Sequence, residues 1–219
     1  MEEIFPALGA GVVSTIICNP LDTIRVNYQL NNKIQYNLKF LYRGISYGII
    51  AIPSFWAIYF PVYKKLKDSE LSKPISAYIA CCMSSTFTTP FWVLRQKLQT
   101  GKKINNANIL NLYRGIIPTY IINLNFTVQM PLYEYLKDKT NNSTFNTFLN
   151  TSISKTVATC IFYPIDTIRV KIRNNDSFIL KPAEYYRGMS IYLIRSIPYH
   201  VTVFCSYEFI KSYFTKNFI

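Results

Sequence analysis

The sequence predicts an all-α membrane protein with six transmembrane helices, arranged as three pseudosymmetric two-helix repeats around a central cavity. Three observations carry that expectation. The stretch Pro20-Leu21-Asp22-Thr23-Ile24-Arg25-Val26 returns as Pro164-Ile165-Asp166-Thr167-Ile168-Arg169-Val170, with six of seven residues identical. A degraded copy, Pro90-Phe91-Trp92-Val93-Leu94-Arg95-Gln96-Lys97, lies between them, so the prolines stand 70 and 74 residues apart in a chain of 219. A period of that size outranks chain length as a guide to architecture. Finally, half of the residues are apolar and only 16% are charged, where a soluble domain carries about a quarter, and the charges gather at helix ends instead of striping each helix.

Ile4 to Leu30 is helix-length, free of charge from Ile4 to Cys18, and long enough to cross a bilayer if it continues past Pro20. Ala7 and Gly11 give it a small-residue face that admits a neighbouring helix. After the polar segment Asn31 to Lys39 come Tyr42-Arg43-Gly44 and an apolar run, Ile45 to Val62, that carries Pro53 and Pro61 and ends at Tyr63-Lys64-Lys65-Leu66-Lys67. The second unit repeats the order: Ile75 to Leu94 with Pro90 near its end, a basic connection through Lys102 and Lys103, then Tyr113-Arg114-Gly115 and Ile116 to Leu132. The third runs from Phe145 to Tyr163 into Pro164, shows Tyr186-Arg187-Gly188, and closes with a helix holding Arg195, Pro198 and His200. The units are residues 1–70, 71–140 and 141–219, one integrated domain with both termini on one side. Each of Pro20, Pro90 and Pro164 kinks a helix; Pro20 and Pro164 are followed by an acid and then a base one turn apart on one face, and Pro90 by the base alone, with Trp92 in the acid's place. The polar residues within the spans, such as Thr88, Asn123 and Gln129, must face other helices or water.

The net charge of +13 suits nucleic acid, anionic lipid or an anionic small substrate. No run of five or more Lys/Arg is present, which sets nucleic acid aside. The five cysteines, Cys18, Cys81, Cys82, Cys160 and Cys205, all sit in apolar stretches and read as small buried hydrophobes. Met1-Glu2-Glu3 is acidic where a leader would be basic, so any targeting information is expected to be internal. The chain has no Ser/His/Asp order, no ligand cluster around its single histidine and no phosphate loop. An enzyme, a cofactor and a metal are therefore not expected.

The paired signatures, Pro-x-Asp-x-x-Arg closing each odd helix and Tyr-Arg-Gly opening each even one 22 or 23 residues behind, resemble the mitochondrial carrier family over essentially the whole chain. The resemblance implies a multi-pass bundle in the mitochondrial inner membrane that moves one small metabolite at a time by alternating access. The chain is short for that family, which implies reduced matrix-side helices. Its Asn, Ile, Lys and Tyr richness is similar to compact carriers of large DNA viruses or intracellular parasites, in which case the membrane is the host cell's.

Carried onto this chain, the family's matrix-side gate pairs Asp22 with Arg95 and Asp166 with Arg25. The third pair fails because Trp92 stands where Arg169 expects a carboxylate. The bracing glutamine nine residues after the proline is Gln29 and Gln99, with Arg173 in the third copy. The opposite-side gate pairs Lys67 with Glu134 and Lys137 with Glu208, beside Tyr63, Tyr133 and Tyr207. Lys64 replaces the acid that Lys211 would meet. Seven residues after each Tyr-Arg-Gly glycine the family places substrate contacts, here Ala51, Ile122 and Arg195, with Ile121 and Asn123 one residue either side. A lone guanidinium deep in a membrane helix is expensive unless it faces a wet cavity, and it offers bidentate geometry to phosphate or carboxylate. Lys155 either lines the same cavity or snorkels. Tyr199, His200, Asn125 and Gln129 carry less weight, with His200 read as a buried hydrogen-bonding group.

Two buried cations without a cavity acid imply an anionic substrate. An aliphatic pair opposite an arginine resembles nucleotide-carrying members, although the arginine triplet of the ADP/ATP carrier is absent. Nucleotide or deoxynucleotide exchange is the favoured expectation. A keto-acid or amino-acid carrier and a non-transporting membrane scaffold are the alternatives. The expected partners are the small anionic substrate and membrane lipid, with cardiolipin the candidate, and the expected state is a monomer.

Overall fold

The three motif prolines do not end their helices. In the computed structural model, α1 (Ile4–Gln29), α4 (Lys73–Gln99) and α8 (Thr144–Arg173) each run through theirs, at Pro20, Pro90 and Pro164. The structure describes residues 4–68, 71–102, 109–140, 143–176, 181–196, 198–199 and 201–202. Between the long helices lie α2 (Leu38–Leu41), α3 (Ile45–Lys67), α5 (Ile109–Leu112), α6 (Ile116–Asn123) and α7 (Asn125–Lys139), and residues 189–196 form a further helical segment, α9. No strand occurs among the described residues. The sequence predicts one helix over 116–132. The structure breaks it at Leu124 into α6 and α7, between the two asparagines whose side chains compete with helical hydrogen bonding. Among the described residues the connections after α1 and α4 hold the single turns α2 and α5, and that after α8 a 3₁₀ turn at Pro182–Glu184.

Packing follows a ring. α3 lies between α1 and α4, α6 lies between α4 and α8, and α1, α4 and α8 each touch the other two. Tyr163 and Tyr192 meet edge to face at 6.0 Å, which joins α9 to α8. The same local geometry recurs where each Tyr-Arg-Gly glycine receives the next long helix. Gly44 lies against the backbone of Arg95, Gly115 against the stems of Arg169 and Arg173, and Gly188 against Gln29 and Arg25. All three glycines hold left-handed φ angles, 74°, 77° and 83°. A side chain on Gly44 would set its Cβ 2.7 Å from the Arg95 carbonyl oxygen, whereas one on Gly101, with φ 71°, would meet nothing nearer than 3.4 Å. Both replacements by alanine incur about 1–2 kcal/mol for the left-handed backbone. Gly44→Ala alone adds a clash with a main chain that cannot swing aside. It is expected to lower the thermal midpoint of detergent-solubilised protein clearly more than Gly101→Ala does.

The burial pattern is inverted relative to a water-soluble bundle. Ser14, Asn19, Thr23, Ser84, Ser154 and Thr167 are fully buried, while Phe145, Leu149, Ile153, Val157 and Ile161 form an exposed stripe at four-residue spacing down α8. Val13, Ile16 and Ile17 on α1 and Met83 and Phe87 on α4 are exposed in the same way. Several inward hydroxyls are satisfied locally: Ser84, Thr88 and Thr89 each donate to the carbonyl four residues back, whereas the buried Ser154 hydroxyl has no hydrogen-bond partner among the described residues. Back-bonding of this kind lets polar side chains pack between helices. They also lower mean hydropathy. Among the described residues one helical stretch, Leu38–Lys67, is long and apolar enough by length and composition to cross a membrane, in place of the six that the sequence predicts. The buried Ser, Thr and Asn residues of α1, α4 and α8 account for the difference.

Candidate functional site

The three proline motifs converge at one end of the ring. Arg95 Nη2 donates to Asp22 Oδ2 at 3.1 Å and to Asn19 Oδ1 at 2.9 Å, and Arg195 Nη1 lies 3.1 Å from Asp22 Oδ1. Each oxygen of Asp22 therefore holds a different guanidinium. Asp166 is shared in the same way, Arg25 taking Oδ2 and Arg169 taking Oδ1. Arg169 turns to the acid three residues back on its own helix because Trp92 supplies no carboxylate, and the Trp92 ring instead lies 5.3 Å from the Arg95 guanidinium. In place of two separate pairs and a gap, two carboxylates each bind two guanidinium groups.

The expected glutamine braces behave differently from one another. Gln29 Nε2 donates to Tyr163 Oη at 3.0 Å and reaches Asp166 Oδ2 at 3.4 Å, beside the Arg25 contact. Gln99 Nε2 donates to Thr23 Oγ1 at 3.2 Å, and its carbonyl accepts from Asn27 Nδ2 at 3.0 Å, so it ties α4 to α1 without touching a carboxylate. Arg173, in the third glutamine position, donates to Thr119 Oγ1 at 3.1 Å.

At the other end of the helices the predicted Lys67–Glu134 pair is not formed, and the partner of Lys137 lies outside the described residues. Lys67, Glu134 and Lys137 are exposed, and no ion pair joins them among the described residues. Tyr63 stacks on Tyr59 at 5.7 Å, and Tyr133 is half-buried. Tyr207, Glu208, Lys211 and His200 lie outside the described residues. One end of the ring is thus closed by ion pairs while the other, as far as it is described, is open.

Between the two ends lies a cavity of about 400 Å³, within the range of small-molecule sites. Among the described residues six cationic side chains reach it, Arg25, Arg95, Lys155, Arg169, Arg173 and Arg195, against two acids, Asp22 and Asp166. The sequence expectation of two cations and no acid is corrected in both numbers, because the proline-motif charges form the cavity floor. Arg195 lies there as predicted, but bound to Asp22 and flanked by Tyr192 and Tyr199 at 5.1 and 5.6 Å. Lys155 also reaches the cavity, 5.3 Å from the Tyr199 ring and with no acidic partner among the described residues.

In the first two units the lining position lies one residue beyond the counted one, which keeps the expected Asn123, while in the third the predicted Arg195 and its neighbour Ser196 both line the cavity. Ile52, Asn123 and Ser196 line the cavity, eight residues after each glycine, with Thr119 and Tyr192 one turn earlier. Ala51 is fully buried, Ile121 is an exposed residue on the outside, and neither they nor Ile122 line the cavity. One residue turns a helical side chain by about 100°, enough to carry it off the wall. Asn123 donates to Ser85 Oγ at 3.0 Å. The apolar lining is mostly aromatic, from Phe55, Trp56, Trp92, Tyr192 and Tyr199, with Val26, Ile52 and Val170 the aliphatic part in place of the expected Ile121–Ile122 pair. Sequence reasoning passed over Asn19 and Tyr163, the residues before two of the motif prolines. Both are buried and both brace the charged floor, and their place beside the proline was the available signal.

An inside-out helical bundle around a cation-rich cavity defines a class, a membrane protein whose interior is electrostatically suited to a small anion. Known proteins narrow it. No family model matches the chain, but curated relatives match nearly all of it. It is 27% identical to mitochondrial substrate carrier family protein W of Dictyostelium discoideum, over 99% of this chain and 88% of the relative. It is 28% identical to the mitochondrial nicotinamide adenine dinucleotide transporter 2 of Arabidopsis thaliana, over 99% and 81%. It is 22% identical to the mitochondrial FAD carrier protein FLX1 of Saccharomyces cerevisiae, over 96% of each. The chain is thus related, along essentially its whole length, to mitochondrial carrier proteins. The match to the Dictyostelium protein spans 292 positions against 219 residues here, so the relative carries internal segments that this chain lacks, in keeping with the short connections α2 and α5.

Proposed function

We propose that the protein transports a small anionic metabolite, a nucleotide or deoxynucleotide, across the mitochondrial inner membrane by alternating-access exchange. The observation that carries this is the cavity, whose cations outnumber its acids six to two, closed beneath by shared carboxylates while Lys67 and Glu134 stand exposed and apart above it. On this reading the charged floor is the matrix-side gate in its shut state, and Lys67, Glu134, Lys137, Glu208 and Lys211 would form the opposite gate when the molecule inverts. The three units at 1–70, 71–140 and 141–219 act as one domain, six helices cross the bilayer, and a monomer suffices, with cardiolipin among its lipids. The exposed stripe on α8 supports contact with acyl chains.

Arg195 links cargo to gate. It is a cavity cation and also a partner of Asp22, so a phosphate that engages its planar fork competes with the carboxylate and loosens the floor. The aromatic faces of Trp56 and Tyr192 supply a stacking surface for a base. The dinucleotides named in two of the relatives, a nicotinamide adenine dinucleotide transporter and an FAD carrier, support a substrate with a nucleotide part. Alternation requires two closed states within a few kcal/mol of each other, and a carboxylate divided between two guanidinium groups is a bond that an arriving anion can rearrange.

Proteoliposomes loaded with ATP, dATP, ADP or a keto acid and presented with the labelled counterpart test the reading. Nucleotide counter-exchange is expected. In Arg195→Ala it should fall by about two orders of magnitude, because a charge-assisted contact of roughly 1.5–3 kcal/mol is lost together with part of the floor. Arg195→Lys should recover less than half of the rate, since an ammonium lacks the fork. Exchange of no solute by the wild-type protein, or undiminished exchange in Arg195→Ala, would overturn the proposal.

A further inference from the structure

The floor has a third corner with no carboxylate of its own, where Arg169, already bound to Asp166 Oδ1, stands beside Arg173. Around the ring, Asp22 closes one corner and Asp166 another. At the third, where Trp92 replaces the acid, α8 presents Arg169 and Arg173 one turn apart, so both stems lie over Gly115. A Cβ on that glycine would sit 3.1 Å from Arg173 Cγ and 3.4 Å from Arg169 Cγ. Arg173 is only 5% exposed. Its one hydrogen bond among the described residues goes to the neutral Thr119 hydroxyl, and it has no acidic partner there. The Nε atoms of Arg169 and Arg173 are buried without an acceptor, and both side chains and Thr119 line the cavity. Two like charges one turn apart repel each other, and an unpaired buried cation is strongly unfavourable. A doubly charged oxyanion with several acceptor oxygens answers both.

We propose that Arg169, Arg173 and the Thr119 hydroxyl form a phosphate-binding corner in the cavity floor, and that a phosphate of the bound solute supplies there the negative charge that Trp92 omits. This deepens the transport reading and rests on it for the identity of the cargo. It assigns Arg173 to cargo recognition, whereas Arg195 remains the residue shared with the Asp22 cluster. A solute with two or more phosphates can engage both places at once, which favours nucleoside di- and triphosphates over nucleosides and monophosphates.

The test is binding to intact detergent-solubilised protein, followed by thermal unfolding and calorimetry with adenosine, AMP, ADP and inorganic pyrophosphate. Wild type should bind ADP and pyrophosphate, and Arg173→Gln should weaken both about 10- to 100-fold, the loss of one charge-assisted contact, while leaving any adenosine affinity in place. Trp92→Asp, which returns a carboxylate to the corner, should raise the thermal midpoint of the empty protein and weaken pyrophosphate by a similar factor. That variant keeps the test open if Arg173→Gln fails to fold. A cardiolipin arm separates lipid from cargo. If cardiolipin, and not pyrophosphate, produces an Arg173-dependent shift, the corner is a lipid site and the proposal is overturned. It is also overturned if ADP and pyrophosphate bind Arg173→Gln and Trp92→Asp as they bind wild type. If phosphate binding depends on Arg173 but vesicles exchange nothing, the corner stands and the transport reading fails. Nucleotide exchange with an unchanged KM in Arg173→Gln means the reverse: transport stands and the corner is overturned.

Discussion

Asp166→Asn is expected to lower stability by about 3–5 kcal/mol, the usual result of removing one partner from a buried ionic cluster, and to abolish exchange. Its carboxylate is the only acid that Arg25 or Arg169 contacts among the described residues, and Gln29 leans on it as well. With about a tenth of either the Arg25 or the Asp166 side chain exposed, water cannot replace the lost charge. The asparagine amide would also turn a donor toward groups that only donate. Asp138 on α7 is exposed and makes no ion pair among the described residues, so Asp138→Asn is the matched control. Thermal unfolding in detergent compares the two variants. A midpoint for Asp166→Asn indistinguishable from that of Asp138→Asn would show that the cluster contributes nothing to the closed state.

Exchanging the charges of Asp22 and Arg95 is expected to restore little, and that outcome separates a shared carboxylate from a simple pair. Asp22→Arg and Arg95→Asp are each expected to abolish transport. Combined, they renew the attraction between α1 and α4 but bring an arginine at position 22 against Arg195, which now occupies Asp22 Oδ1 at 3.1 Å. Two guanidinium groups about 4 Å apart repel by roughly 4 kcal/mol at an effective dielectric constant of about 20. Adding Arg195→Gln to the exchanged pair should therefore raise the thermal midpoint above that of the double variant, although the same change in wild type lowers it. A double variant as stable as wild type would mean that Arg195 has no part in holding the closed end.

The sequence made the floor legible and the walls only partly so. Asp22, Arg25, Arg95, Asp166 and Arg169 could be found because acid and base recur at a fixed three-residue spacing behind a proline, a pattern written within each helix. The second partner of Asp22 could not, because Arg195 arrives on a helix far along the chain and no local spacing encodes the meeting. Ala51 and Ile122 were misplaced by a single residue and Ile121 by two, a small error in chain position and a large one in angle, whereas the flanking candidate Asn123 does line the cavity. Trp56 and Tyr192 belong to no repeated motif, so only the fold places them on the cavity. The predicted spans suffered the opposite problem. Hydropathy averages around a helix, so it cannot distinguish α8, apolar outside and hydroxylated inside, from a mildly polar helix of no particular orientation.

The unequal tally of charged groups around the hollow bears on stoichiometry. Turning the unladen molecule inside out would present four unbalanced positive charges to a narrow, poorly hydrated passage, and desolvating each of them is uphill. On the proposed transport reading, a polyphosphate passenger would balance most of that excess, so the laden molecule would invert more readily than the vacant one. Return trips would then also need a passenger, and one-for-one swapping would follow from charge balance without a dedicated coupling device.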